Sequence, residues 1–421
     1  MPLDEKLQVK RGCICKVTRI WQVGNMPKIA SMVNLIEELE SSFITVHRER
    51  CVQVRNRNAD CLRCASVCTT GCIHFDGEEL TVSPERCIGC GTCATICPTC
   101  ALEAHHPNDA EFMNQCLSVA GACDGVVTVA CGTLLDRVGD LVDRDAVVRV
   151  ECLGRVEESA LTELVVQGAK SVVLVRGACE SCAHATGFEM VQRVCDTERQ
   201  LLEAWGASAD IRLADKLPKC TRAKDDGYDK GKRAFFESSK REGARMGAIA
   251  VDHAVRDALG EKSTPKPEEP RYTKVMDDGT LPHFLPDRRE ALLNSLATLG
   301  EPEDVMIDTR LWGHVIIDTD TCSSCQMCST FCPTGALARF VDEDGAFGVE
   351  HYPGDCVKCR TCSAICPTGA LTISEEVFAR DMLAGMTDRY TMMPRAVKEG
   401  TAHTIWHKAE LFMSTDQVYE R

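Results

Sequence analysis

The sequence predicts an α+β chain in which a small parallel α/β domain lies between two cysteine-rich units, completed by a helical connector and a helical tail. Three observations lead there. The chain has 28 cysteines in 421 residues, with dense blocks from Cys61 to Cys100 and from Cys322 to Cys366. Between the blocks, residues 124–213 alternate short apolar, β-branched runs with helix-like stretches. One cysteine-bearing string also recurs along the chain.

Residues 1–50 form an amino-terminal segment with a helix expected around Lys28–Glu40. The first cysteine-rich unit spans 51–106. The middle domain spans 116–215. Its expected strands are Gly125–Ala130, Val147–Glu151 and Ser171–Arg176, short and apolar enough to be buried on both faces. Helices are expected over Thr133–Val142, Glu157–Gln167 and Phe188–Trp205. The connector, 216–312, opens on a basic run from Lys219 to Arg245 and passes Pro265, Pro267 and Pro270. It then reaches a helix with Leu292, Leu293, Leu296 and Leu299 on one face. The second cysteine-rich unit spans 313–375. The tail, 376–421, carries scattered apolar residues (Phe378, Met382, Met386, Trp406, Leu411, Phe412) and reads as mostly helical.

The formal net charge is −15, from 48 Lys and Arg against 63 Asp and Glu. Such acidity argues against a nucleic-acid partner. The first residues show no apolar signal core and no twin-arginine pair, and no stretch approaches the roughly 20 apolar residues of a membrane span. A cytoplasmic protein is therefore expected. There thiols stay reduced, and dense cysteines mean metal rather than disulfides.

The repeat shows which metal. Residues 322–337 (Cys-Ser-Ser-Cys-Gln-Met-Cys-Ser-Thr-Phe-Cys-Pro-Thr-Gly-Ala-Leu) return as 356–371 (Cys-Val-Lys-Cys-Arg-Thr-Cys-Ser-Ala-Ile-Cys-Pro-Thr-Gly-Ala-Leu). A third copy stands at 87–102 and a looser fourth at 61–72. Three cysteines at two-residue gaps let one tight loop aim three thiolates at one [4Fe–4S] cube, while the cysteine before proline serves the neighbouring cube. Zinc, the alternative, usually takes two cysteine pairs separated by a long spacer.

These residues resemble the bacterial two-cluster ferredoxins over about 313–375 and again over about 52–104. The resemblance implies one [4Fe–4S] cluster on Cys322, Cys325, Cys328 and Cys366, and a second on Cys356, Cys359, Cys362 and Cys332. In the amino-terminal unit it implies Cys61, Cys64 and Cys68 with Cys97, and Cys87, Cys90 and Cys93 with Cys72. Here the pattern departs: one extra residue precedes Cys68, and Ile73 stands where proline is expected. Cys100 could compete with Cys97. A radical S-adenosylmethionine motif is excluded, because Gly71 occupies the place its third cysteine would need after Cys64-x3-Cys68.

In the middle domain Cys131 follows the first expected strand, Cys152 the second, and Cys179 and Cys182 the third. Parallel strands end on one edge, and ligands of open α/β sheets gather there, so four thiols distant in sequence can converge. Val-Ala-Cys131-Gly, Val-Glu-Cys152-Leu-Gly-Arg-Val and Gly-Ala-Cys179-Glu-Ser-Cys182-Ala-His resemble the delta (iron–sulfur) subunit of methyl-viologen-reducing hydrogenases over about 122–213. That resemblance implies a [2Fe–2S] cluster and a relay of electrons between subunits. Leu134-Leu135 stand where the family tends to carry a further cysteine. Zinc, or a fold without metal, is the alternative reading of this site. Cys13-x-Cys15 with distant Cys51 could support another site, and Cys195 reads as a buried hydrophobe.

No Gly-x-Gly-x-x-Gly follows an expected strand, and no nucleophile or acid–base pair stands out. The sequence thus reads as a multi-cluster electron-transfer subunit in a hetero-oligomer. It would serve a catalytic redox subunit, such as a hydrogenase or a molybdenum or tungsten pterin enzyme like formate dehydrogenase, and possess no catalytic residues of its own. The rival readings are an enzyme reducing a small substrate or disulfide at the middle cluster, and a scaffold for other redox subunits.

Overall fold

The computed structural model describes residues 43–223, 273–274, 276, 280–385, 387–393 and 419–420. The expected helix around Lys28–Glu40, Cys13 and Cys15, the basic run beyond residue 223, Pro265–Pro270, and Met386, Trp406, Leu411 and Phe412 of the tail lie outside the described residues.

The amino-terminal unit is two small antiparallel pairs with short helices between them. Strand β1 (Ile44–Val46) pairs with β4 (Leu102–Ala104), and the hairpin β2 (Ile73–Phe75) pairs with β3 (Leu80–Val82). Helices α1 (Val52–Arg55), α2 (Arg63–Val67) and α3 (Thr92–Ile96) carry the cysteine-rich stretches. So short an assembly has little apolar area of its own, and cysteines fill the gap. Cys51, Cys64, Cys72 and Cys93 are part of its buried core.

The middle domain opens on α4 (Asp109–Ala122), which starts earlier than the expected boundary at 116. Asn108 caps it, accepting from the Glu111 amide while Glu111 accepts from the Asn108 amide, a reciprocal capping box. Phe112, Cys116 and Val119 then pack on the sheet, so the helix belongs with it. The sheet is β5 (Val126–Cys131), β6 (Val148–Val150), β7 (Ser171–Val175) and β8 (Asp210–Ala214), in the order β6-β5-β7-β8 and parallel throughout. The three expected strands are present, and β8 is a fourth that the reading of β-branched runs passed over. Asp210, Arg212 and the half-buried Leu213 and Ala214 lack the buried-strand texture. Helices α5 (Gly132–Val138), α6 (Glu158–Val166) and α7 (Ala185–Ala204) join the strands. The chain leaves β5 to one side for β6 and returns to the other for β7. The crevice outside the carboxyl end of β5 is therefore a topological switch point.

In the connector, β9 (Thr273–Lys274) precedes α8 (Asp287–Leu299), the helix expected from its leucines. Leu292 and Leu296 are buried in a core shared with Leu201 and Trp205 of the middle domain and with Ile307, Trp312 and Val377. The helix thus welds the middle domain to the carboxyl-terminal unit.

That unit repeats the first one's plan. Strand β10 (Met306–Asp308) precedes it. Strand β11 (His314–Ile317) pairs with β14 (Leu371–Ser374), and β12 (Leu337–Val341) pairs with β13 (Phe347–His351). Helices α9 (Met327–Thr330) and α10 (Thr361–Ala364) carry cysteines. The expected helical tail is corrected over its described part. Residues 376–378 form β15 against β10, and 388–392 form β16 against β13. The free edge of β13 demands partners for its backbone groups, and Tyr390 and Thr391 suit a pleated strand. Strand β17 (Tyr419–Glu420) runs parallel to β9.

Candidate metal centres

In the carboxyl-terminal unit, left-handed backbone coils each cysteine loop. Ser324 (φ 60°) and Gln326 (φ 55°) flank Cys325, and Lys358 (φ 49°) and Arg360 (φ 65°) flank Cys359. Four non-glycine residues in this region are costly together, and such strain gathers at functional loops. It coils the chain tightly around Cys325 and Cys359, and Cys328 and Cys362 follow within the helices α9 and α10. Burial pushes the Cys328 thiol up strongly, and the charges of Cys325, Cys322 and Cys366 add to it. The Cys362 thiol is pushed up likewise by burial and then by Cys359, Cys356 and Cys332. The thiols of Cys325, Cys322 and Cys366 thus lie near that of Cys328, and those of Cys359, Cys356, Cys332 and Cys328 near that of Cys362. Such thiols give up their protons readily only to a metal. None of the described cysteines is in a disulfide.

The amino-terminal unit is regular in its second half. Cys90 lies between Gly89 (φ 68°) and Gly91 (φ 73°), Cys93 lies within α3, and Cys97 caps its end. The first half differs from expectation. Cys64 lies within α2 and Cys68 caps that helix, the places of Cys93 and Cys97. Downstream of Cys68, Cys97, Cys332 and Cys366, all four copies agree. A threonine two residues on puts its hydroxyl near the sulfur: Thr70 at 3.5 Å from Cys68, Thr99 at 3.7 Å from Cys97, Thr334 at 3.8 Å from Cys332 and Thr368 at 3.6 Å from Cys366. A left-handed residue comes next (Gly71, Cys100, Gly335, Gly369), and a strand begins two residues later at Ile73, Leu102, Leu337 and Leu371. Cys68 thus shares its local geometry with Cys97, Cys332 and Cys366. Cys72 falls where Ala101, Ala336 and Ala370 fall in the others, its sulfur 3.4 Å from that of Cys68. Cys61 and Cys64 are the second and third of their copy, and Asn58 stands where the usual spacing would put the first. Cys100 sits at a left-handed position (φ 49°), with its thiol pushed up to about 12 chiefly by burial.

In the middle domain, Cys131, Cys152, Cys179 and Cys182 line one small cavity with Thr133, His184 and Phe188. Cys131 closes β5, Cys152 follows β6, and Cys179 and Cys182 bracket a single turn after β7. Burial drives the Cys179 thiol up, and Cys131 raises it further. Polar hydrogens face these sulfurs: the Gly154 amide lies 3.5 Å from Cys152, the His184 amide 3.5 Å from Cys182, and the Thr133 hydroxyl 3.4 Å from Cys131. Hydrogen bonds of this kind tune a metal held by sulfur.

The three units abut at their cysteine loops. A Cβ on Gly154 would stand 2.7 Å from the Cα of Gly187 and press on Thr92 of α3. A Cβ on Gly91 would stand 2.6 Å from Cδ of Arg155. Arg155 is buried, ion-paired with Asp109, and accepts through its carbonyl from the Thr95 hydroxyl at 3.2 Å. The Gly-Arg-Val stretch after Cys152 is thus a docking surface for the Cys90–Cys93 loop. Cys152 accordingly carries a thiol pushed up to about 12, by burial first and among charges by Cys90, Cys179 and Cys182. Thr186 donates to the Val67 carbonyl at 2.7 Å. Across the other contact, Arg63, beside Cys64, donates to the carbonyl of Lys358 at 2.9 Å, between Cys356 and Cys359.

Comparisons with known proteins agree with this partition. Residues 321–370 match the family described as 4Fe-4S dicluster domain, and residues 80–103 match 4Fe-4S binding domain. Residues 136–216 match Methyl-viologen-reducing hydrogenase, delta subunit. A Ferredoxin 7Fe of Hydrogenibacillus schlegelii is 38% identical over 39 residues, covering 9% of this chain and 50% of that protein. The Indolepyruvate oxidoreductase subunit IorA of Archaeoglobus fulgidus is 22% identical over 116 residues, covering 24% of this chain and 19% of that protein. The chain therefore spans half or less of the curated relatives it matches. Among the described residues no helix is long and apolar enough to cross a membrane. The chain carries two 4Fe-4S ferredoxin-type domains with a domain of the methyl-viologen-reducing hydrogenase delta-subunit type between them.

Proposed function

We propose that this protein is a multi-cluster electron relay, passing single electrons between a catalytic oxidoreductase subunit and a second redox partner. The observation that carries the reading is the succession of cysteine groups across unit contacts. The Cys356–Cys359 loop meets α2 with Cys64, and the Cys90 loop meets Cys152 of the middle site. The thiol sets support five centres. Cys322, Cys325, Cys328 and Cys366 hold one [4Fe–4S] cluster, and Cys356, Cys359, Cys362 and Cys332 hold the next. The amino-terminal unit holds two more. Cys131, Cys152, Cys179 and Cys182 hold a [2Fe–2S] cluster. Bound there, each centre would take up and release one electron at a time. The residues around them bury part of each thiol set, supply hydrogen bonds to sulfur and fix the order of the groups.

The catalytic partner is a hydrogenase or a molybdenum or tungsten pterin enzyme such as a formate dehydrogenase, in a cytoplasmic hetero-oligomer. The delta-subunit-type domain favours the first. Anaerobic purification with iron counting and redox-titrated electron paramagnetic resonance tests the relay. About 18 irons per chain are expected, from four cubes and one pair, and about 8 or fewer would overturn the reading. Co-purification from the native host identifies the partner.

A further inference from the structure

The first half of the amino-terminal unit has its second, third and fourth cysteine places filled by Cys61, Cys64 and Cys68, and no cysteine at the usual spacing for the first. We propose that Cys51 is that first ligand, forming one cluster site with Cys61, Cys64 and Cys97, while Cys68 joins Cys87, Cys90 and Cys93 in the other. Cys72 is then a spare thiol. The assignment rests on the reading that this unit holds two cubes.

Backbone geometry places Cys51. The strand β1 ends at Val46 and β3 ends at Val82, and the chain continues as Val-His-Arg-Glu-Arg-Cys51 in one case and Val-Ser-Pro-Glu-Arg-Cys87 in the other. Each makes one 3₁₀ turn, Arg48–Arg50 or Pro84–Arg86, that stops at the cysteine. Cys51 has φ −74° and ψ 117°, Cys87 φ −77° and ψ 125°, and Cys356 φ −73° and ψ 117° after the turn Pro353–Asp355. Their amides donate to Arg48 at 3.1 Å, Pro84 at 3.2 Å and Pro353 at 3.1 Å. Cys51 thus shares the conformation of the first cysteines of two regular copies, Cys87 and Cys356.

What separates Cys51 from Cys61 is an insertion that returns the chain to its start. Regular copies have two residues between first and second ligands, and here there are nine, 52–60. They fold as α1 and a turn. The Cys61 amide donates to the Gln53 side chain at 3.0 Å, Ala59 donates to the Asn56 carbonyl at 2.8 Å, and the Asn58 amide donates to the Asn56 side chain at 2.9 Å. Arg55, buried, donates to the carbonyls of Glu49 at 3.1 Å and Pro282 at 2.9 Å. Cys51 is 7% exposed and packs in the core that also holds Cys64, Cys72 and Cys93, with Cys68, Cys87 and Cys97 against it. The like charges it meets are those of Cys97 and Cys61. Both Cys68 and Cys72 lie near the second set: Cys90 meets the charge of Cys68, and Cys72 meets that of Cys87. The shared threonine, left-handed residue and strand start decide for Cys68.

Single substitutions in the full chain, purified anaerobically with iron counting and electron paramagnetic resonance, test the assignment. The wild-type count tests the two-cube reading, and the difference between variant and wild type tests the ligands. Cys51→Ser is expected to lose about one to four irons with the signals of the other centres retained. Cys68→Ser is expected to do the same for the second cube, and Cys72→Ser to keep full iron. If Cys51→Ser does not fold, Cys51→Asp decides. Its carboxylate can bind iron, and a shifted midpoint potential in one cube supports the ligand, whereas unchanged potentials overturn it. Full iron in Cys51→Ser, or a cube lost in Cys72→Ser but kept in Cys68→Ser, overturns the corresponding half of the assignment.

Discussion

Arg310, just before β11, lays its guanidinium on the fully buried carboxylate of Glu158 at the start of α6, with Nε 2.7 Å from Oε1. The same guanidinium donates to the Thr95 carbonyl of α3 at 3.1 Å, so one side chain of the connector ties the middle domain to the amino-terminal unit. Burial raises Glu158 and the charge of Arg310 opposes that rise. Removing only the cation leaves a carboxylate with neither water nor partner. Arg310→Leu should therefore destabilise the chain by about 3–5 kcal/mol, and the added change Glu158→Leu should recover much of that loss. Denaturant titrations of both single variants and the double variant measure the coupling. Additive losses would show that the pair is not coupled.

Glu198 gives the chain a pH dependence. It is buried in α7, among the described residues no cation pairs with it, and the Thr162 hydroxyl lies 3.0 and 3.1 Å from its oxygens. Burial raises its carboxyl well above the ordinary range despite that hydroxyl, and Glu158 and Glu157 raise it further. The folded chain thus keeps a proton that the unfolded chain loses near pH ~4.3. The stability it contributes is full below that pH and is lost as pH rises toward the folded value. Glu198→Gln removes the dependence. Thermal midpoints from about pH 5 to about pH 9 should show the variant gaining on the wild type as pH rises. A constant difference would refute the protonated carboxyl.

Gly187 lies under the middle site. A Cβ there would press into the sulfur of Cys152. Gly187→Ala should lower iron by about two per chain while the four-iron signals persist, with a stability cost of about 1–3 kcal/mol from overpacking. Full iron in a folded Gly187→Ala chain would place the metal elsewhere.

Iron removal should act unevenly. Cysteines make up much of the buried interior of both ferredoxin-type units, whereas the sheet domain has an apolar core of Val127, Val129, Leu161, Leu164, Val172 and Leu174. Without metal the thiols lose the bonds that link them, and domains of that size keep little core. Anaerobic chelation should abolish hydrogen-exchange protection in β11–β14 and β1–β4 while β5 and β7 stay protected. Uniform loss would mean that the sheet domain also depends on its metal.

Local spacing made the carboxyl-terminal unit and the regular half of the first unit legible in the sequence. A two-residue gap and a proline act within one loop, so the string of residues carries the geometry. The same holds for β5, β6 and β7, whose apolar runs are intrinsic, and for the leucine face of α8. Tertiary structure decided the rest. Cys51 reads as an orphan until its 3₁₀ turn is seen to match that before Cys87 and the Gln53 side chain is seen to bridge to Cys61, and the likeness of Cys68 to Cys97 shows only in the left-handed residue and strand start that follow each. The order of the cysteine groups depends on Arg63, Arg155 and Arg310, whose partners lie 295, 46 and 152 residues away. No periodicity encodes such contacts, because they arise from the packing of separately formed units.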